Sequence, residues 1–251
     1  MSTGPSIATA SQTAIIAAVS AGAVHLHPTA PLAPRALLPG DPGRALALAT
    51  ALLEAPRMFN HNRGLWGYTG TAADGAPLTI QSTGMGGPSA AIVLEELIAL
   101  GLERAIRVGT AGALAPSLAL GELVIATEAI CADGTSRALG SGERERPDAA
   151  TLDALRRCAP GAHAGPIVTS DLFYEDGPQR LDAWRAAGAL AVEMEAAALF
   201  AIGRRRGVAV GAVVALTDLL AGRPARLGPQ ERSEAGIAAG RLGAGALAAL
   251  G

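Results

Sequence analysis

Short, unbroken apolar runs alternate along the chain with stretches whose apolar residues recur at helical spacing. Residues 35–40 (RALLPG) read as a strand ending in a turn, and 43–55 (GRALALATALLEA) as a helix. Residues 77–84 (PLTIQSTG) form a β run stopped by glycine. Within 87–101, Ala90, Val93, Leu94, Leu97 and Ile98 fall at i, i+3, i+4, i+7 and i+8, and Gly101 ends the helix they predict. Residues 104–114 (RAIRVGTAGAL) predict a buried strand entering a Gly-rich loop, and 122–130 and 165–173 predict further strands. A helix is predicted over 193–207, a strand over 208–218, and a last helix from about 229 to 250. Residues 133–149 (DGTSRALGSGERERPDA) break the pattern and read as a polar surface loop.

Strands that are continuously apolar are covered on both faces. Their alternation with helices predicts an α/β fold: a single domain with a mixed, mostly parallel β-sheet flanked by helices on both faces. No long internal repeat is visible. Polar pairs close the predicted strands: Gly40-Asp41, Thr83-Gly84, Gly109-Thr110, Ser170-Asp171 and Thr217-Asp218. Ligands of α/β sheets bind at the C-terminal ends of strands, so these five endings are expected to converge on one site.

Composition narrows the picture. Of 251 residues half are hydrophobic but only 3% aromatic, so the core is aliphatic. Net charge is −2, which gives no global field for nucleic acid or an anionic membrane. All 20 basic residues are arginine. The chain therefore supplies neither a Schiff-base lysine nor a P-loop lysine. Cys131 and Cys158 are far apart and make no CxxC, which argues against a disulfide framework or a cysteine zinc site and fits a reducing cytoplasm. Residues 1–24 are small and apolar, too short to span a bilayer and without a basic leader, and are expected to be a loose extension of a domain over 25–251.

Four constellations carry candidate chemistry. GDPGR (40–44) is either a plain β-to-α turn with a solvated arginine, or an anion site built from close backbone approach, helix N–H groups and Arg44. In RVGTAGA (107–113), Arg107 lies inside an apolar run and needs a partner, either a carboxylate or the same anion, with Thr110 beside it. Arg63 sits among the turn formers of 60–70. In VEMEAAALFA (192–201), Glu193 and Glu195 are either favourable acids at a helix start or buried groups, one of which grips vicinal hydroxyls. Asp218, closing an apolar strand, either caps the next element or acts as a general acid.

Taken in order, PGDPGRA, STGMGGPSAAIVLEEL, RVGTAGA, SDLFY and VEMEAAALFA resemble the nucleoside phosphorylase family of the hexameric purine and uridine type, from about His25 to the C-terminus. The resemblance implies phosphorolysis of nucleosides to free base and (deoxy)ribose 1-phosphate by a pentosyltransferase. It implies phosphate held by Gly40, Arg44, Arg107 and Thr110, with Arg63 lent by a neighbouring subunit. His25, or its near rival His27, would be lent to the ribose 5′-hydroxyl. Met85 and Met194 would line the ribose, and Glu195 would take its 2′ and 3′ hydroxyls. Phe173, with Val192 and Glu193, would meet the base. Asp218, assisted by Arg232, would protonate a purine ring nitrogen. The implied partners are nucleoside, inorganic phosphate as co-substrate and further copies of the chain sharing sites in a homohexamer, with no metal or organic cofactor. Thr217-Asp218 favours purines. Gln179 and Arg180 near Phe173-Tyr174 keep a uridine-type specificity as the alternative, and a non-catalytic nucleoside-binding protein of this fold is a second.

Overall fold

The computed structural model describes residues 23–174 and 177–251. The expected extension over 1–24 lies outside these, apart from its last two residues. Strand β1 (Arg35–Leu38) leads into helix α1 (Pro42–Leu52), and β2 (Glu54–Asn60), β3 (Gly67–Thr71) and β4 (Pro77–Gln81) follow as a meander. Helix α2 (Gly87–Ala99) precedes β5 (Arg104–Ala113) and β6 (Leu123–Ala132). Then come α3 (Gly134–Ala138), β7 (Arg144–Glu145), α4 (Ala149–Cys158), β8 (His163–Ser170) and α5 (Pro178–Ala186). The chain ends with β9 (Ala191–Glu193), α6 (Ala196–Arg206), β10 (Ala209–Leu219), β11 (Ala225–Arg226) and α7 (Pro229–Ala248).

The sheet is mixed and is parallel through its centre. β1 pairs in parallel with β4 and with β5, and β5 pairs in parallel with β10 from Arg104↔Ala209 to Ala113↔Leu219. β10 then meets β6 antiparallel, β6 and β8 run parallel, β8 and β9 run parallel, and β9 returns antiparallel onto the end of β5 at Gly112↔Val192. The pairings β5–β10–β6–β8–β9–β5 therefore close into a ring, from which β1, β4, β3 and β2 extend as an open sheet.

Helices cover both faces. Leu94, Leu97, Leu199 and Phe200 of α2 and α6 pack with Val214 and Leu216 of β10 on one side. Leu48, Leu155, Leu242 and Leu247 of α1, α4 and α7 pack with Ile106, Val108 and Val213 on the other. Each such leucine contributes about 1.5–3 kcal/mol of burial. With few aromatics the layers must approach closely, and α7 does so through small residues. A Cβ on Gly240 would lie 2.2 Å from Leu48, and one on Gly243 would lie 2.8 Å from Val108.

Several expectations change. The predicted helix over 193–207 is a strand and a helix, with Glu193 ending β9 and Glu195 preceding α6. The loop over 133–149 holds α3 and β7 and buries Asp133, Ser136 and Glu145. Asp133 accepts from Ser136 N at 2.7 Å and so caps α3. β2, β3, α4 and α5 were not legible as elements. Among the described residues no helix is long and apolar enough to cross a membrane.

Candidate active site

The ends of β1, β5, β9 and β10 surround a cavity of about 570 Å³. Eleven of the expected site residues line it: Gly40, Arg44, Arg107 and Thr110; Met85, Met194 and Glu195; Phe173, Val192 and Glu193; and Asp218. Of the five polar strand endings, those of β1, β5 and β10 reach it. The other two serve the scaffold: Thr83 N donates to Pro39 O at 2.8 Å, and Asp171 accepts from Gly134 N at 2.7 Å. Just beyond β8 it is Leu172, Phe173 and Tyr174 that line the cavity.

The turn after β1 is shaped by packing and by a cap. A Cβ on Gly40 would lie 3.2 Å from Gly84 O, so a small residue lets the two loops pass. Asp41 caps α1, accepting from Arg44 N at 2.6 Å, and Pro42 occupies the first turn. Pro42 has no N–H and that of Arg44 is taken, so the helix terminus itself offers little to an anion. What the turn delivers is the half-buried Arg44 guanidinium, for which no acceptor is found among the described residues. Burial depresses its pKa; Asp41 and Glu195 pull upward, while Arg107 and Arg232 push further down.

Arg107 is buried on β5, and a Cβ on Gly109 two residues on would stand 2.7 Å from its Nη2. The side chain lies along the strand because that position is glycine. Its Nε donates to Glu193 Oε2 at 2.7 Å, and Nη2 pairs with Glu195 Oε2. Among the described residues Nη1 is buried with no partner. Burial opposes the Arg107 charge, but Glu195 and Glu193 outweigh it and hold the pKa above the ordinary arginine value.

The Glu193 carboxylate is fully engaged within the protein. Oε1 accepts from Thr169 Oγ1 at 2.6 Å and from Ala196 N at 3.0 Å, and Oε2 takes Arg107 and Glu195 N at 2.9 Å. It orients Arg107 and satisfies the first amides of α6 while lining the cavity beside Val192. Glu195 Oε1 accepts from Gly86 N at 2.6 Å. Its pKa is raised, first by burial and also by Glu193, against the pull of Arg107 and the Gly86 amide.

At the other end, Asp218 accepts from Thr217 Oγ1 at 2.8 Å and from Arg226 Nε. Arg226 was not foreseen. The expected helper, Arg232, instead donates through Nη2 to Leu227 O at 3.0 Å and lies near enough to Arg44 to act on its charge. Met85, Phe173 and Tyr174 form an exposed apolar rim, at 84%, 60% and 91% of full exposure.

Arg63 and His25 do not line this cavity. Both belong to a separate surface patch, joined by Asn62 Nδ2 donating to His25 O at 2.9 Å. Arg63 is exposed and left-handed (φ 56°, ψ 19°), a conformation uncommon for a non-glycine residue. His25 Nδ1 stands 2.6 Å from Glu96 Oε1, which also gathers the Val24 and His25 amides, while His27 Nε2 is 3.5 Å from Asn62 Nδ2. Among the described residues no group of three or more His, Cys, Asp or Glu could hold a metal ion.

A family model described as the phosphorylase superfamily matches residues 34–250. The chain is 40% identical over 195 residues to a guanosine phosphorylase of Halorubrum lacusprofundi, covering 74% of this chain and 79% of that one. It is 38% identical over 197 residues to a DeoD-type purine nucleoside phosphorylase of an Exiguobacterium species, covering 75% and 82%. The crystal structure of a uridine phosphorylase from Vibrio fischeri superposes with a TM-score of 0.78 at 27% identity, over 86% of this chain and 91% of that one.

Proposed function

The chain belongs to the phosphorylase superfamily, and from that premise we propose that it cleaves nucleosides with inorganic phosphate, purine nucleosides favoured, to free base and (deoxy)ribose 1-phosphate. One observation carries the reading. Two arginines, Arg44 and Arg107, line one cavity, and among the described residues neither the Arg44 guanidinium nor the buried Nη1 of Arg107 has a protein acceptor. Buried cationic donors left unpaired are costly, and an oxyanion between them relieves both.

In this reading phosphate lies against Arg44, Arg107, Thr110 and the Gly40 turn. Glu195 accepts from the 2′ and 3′ hydroxyls, exchanging part of its present contacts for them, and Met85 and Met194 flank the sugar. The bond from C1′ to the base nitrogen breaks, its electron pair leaves with the base, and a phosphate oxygen bonds to C1′. Positive charge builds on the sugar, as in glycoside cleavage, between phosphate on one side and Glu195 on the other. Asp218 delivers a proton to the ring nitrogen of the departing purine, and Phe173 and Val192 pack on that base. A neighbouring copy completes the site with Arg63 and His25, which do not line the chain's own cavity. This assigns His25 rather than His27, because Glu96 fixes its ring through Nδ1 and leaves Nε2 to act. The reaction calls for no metal or organic cofactor.

The test is base release from inosine, adenosine and uridine, each with and without phosphate. The expected result is release only with phosphate, with inosine ahead of uridine. Release at the same rate without phosphate would make the protein a hydrolase. Tight nucleoside binding without release under any condition would make it a binding protein of this fold.

A further inference from the structure

Arg226 lines the cavity, and the reaction above leaves it without a task. It sits on β11, whose register with β10 sets it directly across from Asp218. Residues opposite one another in an antiparallel pair project from the same face, so the backbone itself brings the two side chains together. Nε is spent on Asp218 Oδ1, while Thr217 occupies Oδ2. The terminal nitrogens Nη1 and Nη2 make no bond to any described residue, and the side chain is 59% exposed at the cavity wall. A guanidinium carries donors and no acceptor. The base end of the site is therefore rich in donors, and it suits a base edge that presents acceptors.

Resting on the phosphorolysis reading, we propose that Arg226 selects nucleosides whose purine carries a carbonyl at C6, donating to that oxygen while Asp218 faces the adjacent ring nitrogen. A 6-aminopurine would set an N–H against the guanidinium at the same point. The contact also grows with reaction. As the glycosidic bond breaks, the electron pair left on a 6-oxopurine spreads onto the exocyclic oxygen, where the cation stabilises it more than in the ground state. Arg226 thus acts on both choice of base and rate.

The experiment measures kcat/KM for inosine and for adenosine at saturating phosphate in the wild type, Arg226→Ala and Arg226→Lys. Calorimetric binding of hypoxanthine and adenine to the phosphate-loaded protein is measured alongside. The expected wild-type preference for inosine is about tenfold to a hundredfold, the discrimination an arginine gains at a purine edge. The ratio falls toward one in Arg226→Ala and sits between in Arg226→Lys. A wild-type ratio near one, or equal losses on both substrates in Arg226→Ala, overturns the assignment. Should Arg226→Ala fail to fold, the wild-type ratio and the preference for hypoxanthine over adenine decide the matter. If no nucleoside yields base with phosphate, the phosphorolysis reading falls and takes this one with it. Base release without preference for the carbonyl sinks the role of Arg226 alone.

Discussion

Replacing Gly109 with alanine adds one methyl group where the Arg107 guanidinium already lies. The new carbon would stand 2.7 Å from Nη2 and 2.8 Å from Cζ, and carbon contacts settle at about 3.5 Å or more. The group must retreat by roughly 0.7 Å. It cannot do so freely, because Nε is held 2.7 Å from Glu193 and Nη2 is paired with Glu195. Either one of those bonds stretches past hydrogen-bonding range or the whole guanidinium shifts in the cavity wall. A charge-assisted hydrogen bond is worth about 1.5–3 kcal/mol, so kcat/KM for phosphate is expected to fall roughly tenfold to a hundredfold. The assay is initial-rate base release from inosine across a phosphate series. A second background isolates the cause: in Arg107→Ala the guanidinium is gone, and adding Gly109→Ala should cost little more. Additive losses in that double variant, or a phosphate dependence in Gly109→Ala within twofold of wild type, would show that the methyl acts elsewhere or that Arg107 does not touch phosphate.

Glu193→Gln leaves Arg107 short of a buried counter-charge. A loss of about 3 kcal/mol is expected, a fall in Tm of roughly 6–12 °C, and calorimetry showing less than 2 °C would contradict the contacts described. Asp218→Asn should depress inosine cleavage far more than inosine binding, and equal losses in both would remove the proton-donor role. Mixing Arg63→Ala with Asp218→Asn protein, each impaired alone, should restore activity in re-formed oligomers; no recovery after demonstrated subunit exchange would mean that sites are not shared. Glu96, although burial works against its charge, is held below the ordinary carboxylate value of 4.5 by His25 and by the amides of Leu26, His25 and Val24. A depressed carboxyl stabilises the fold above its unfolded pKa and loses that contribution as pH falls through its folded one. Hydrogen exchange at the amides of residues 24–26 should therefore rise as pH drops below about 4.5 beyond the intrinsic trend, and the rise should vanish in Glu96→Gln.

Much of the site could be read from the chain because its residues sit in strongly patterned surroundings. Arg107 stands out as the one charge in an apolar run, and the GDPGR turn lies between a clear strand and a clear helix. The segment around Glu193 misled, since EMEAAA has helical composition throughout while β9 is fixed by pairing with β5 and β8, a tertiary fact. Glu193 itself looks the same as Glu195 in sequence; only its four donors separate them. Arg226 was hidden in a Gly- and Pro-rich stretch, AGRPARLGP, and becomes visible only when the β10–β11 register sets it across from Asp218. The closure of the strands into a ring was equally out of reach, because it depends on which edges meet rather than on any local period.

That ring divides the cavity into two materials. Its floor is cross-tied on every side: β5 is paired along both edges, and the Glu193 carboxylate joins three strands to the start of a helix. A change there is felt by the whole scaffold. The lip, where Met85, Phe173 and Tyr174 stand in water, holds up nothing beneath it. One fold can thus hold the two arginines of its floor in place while the side chains at its mouth are exchanged at almost no cost to the architecture.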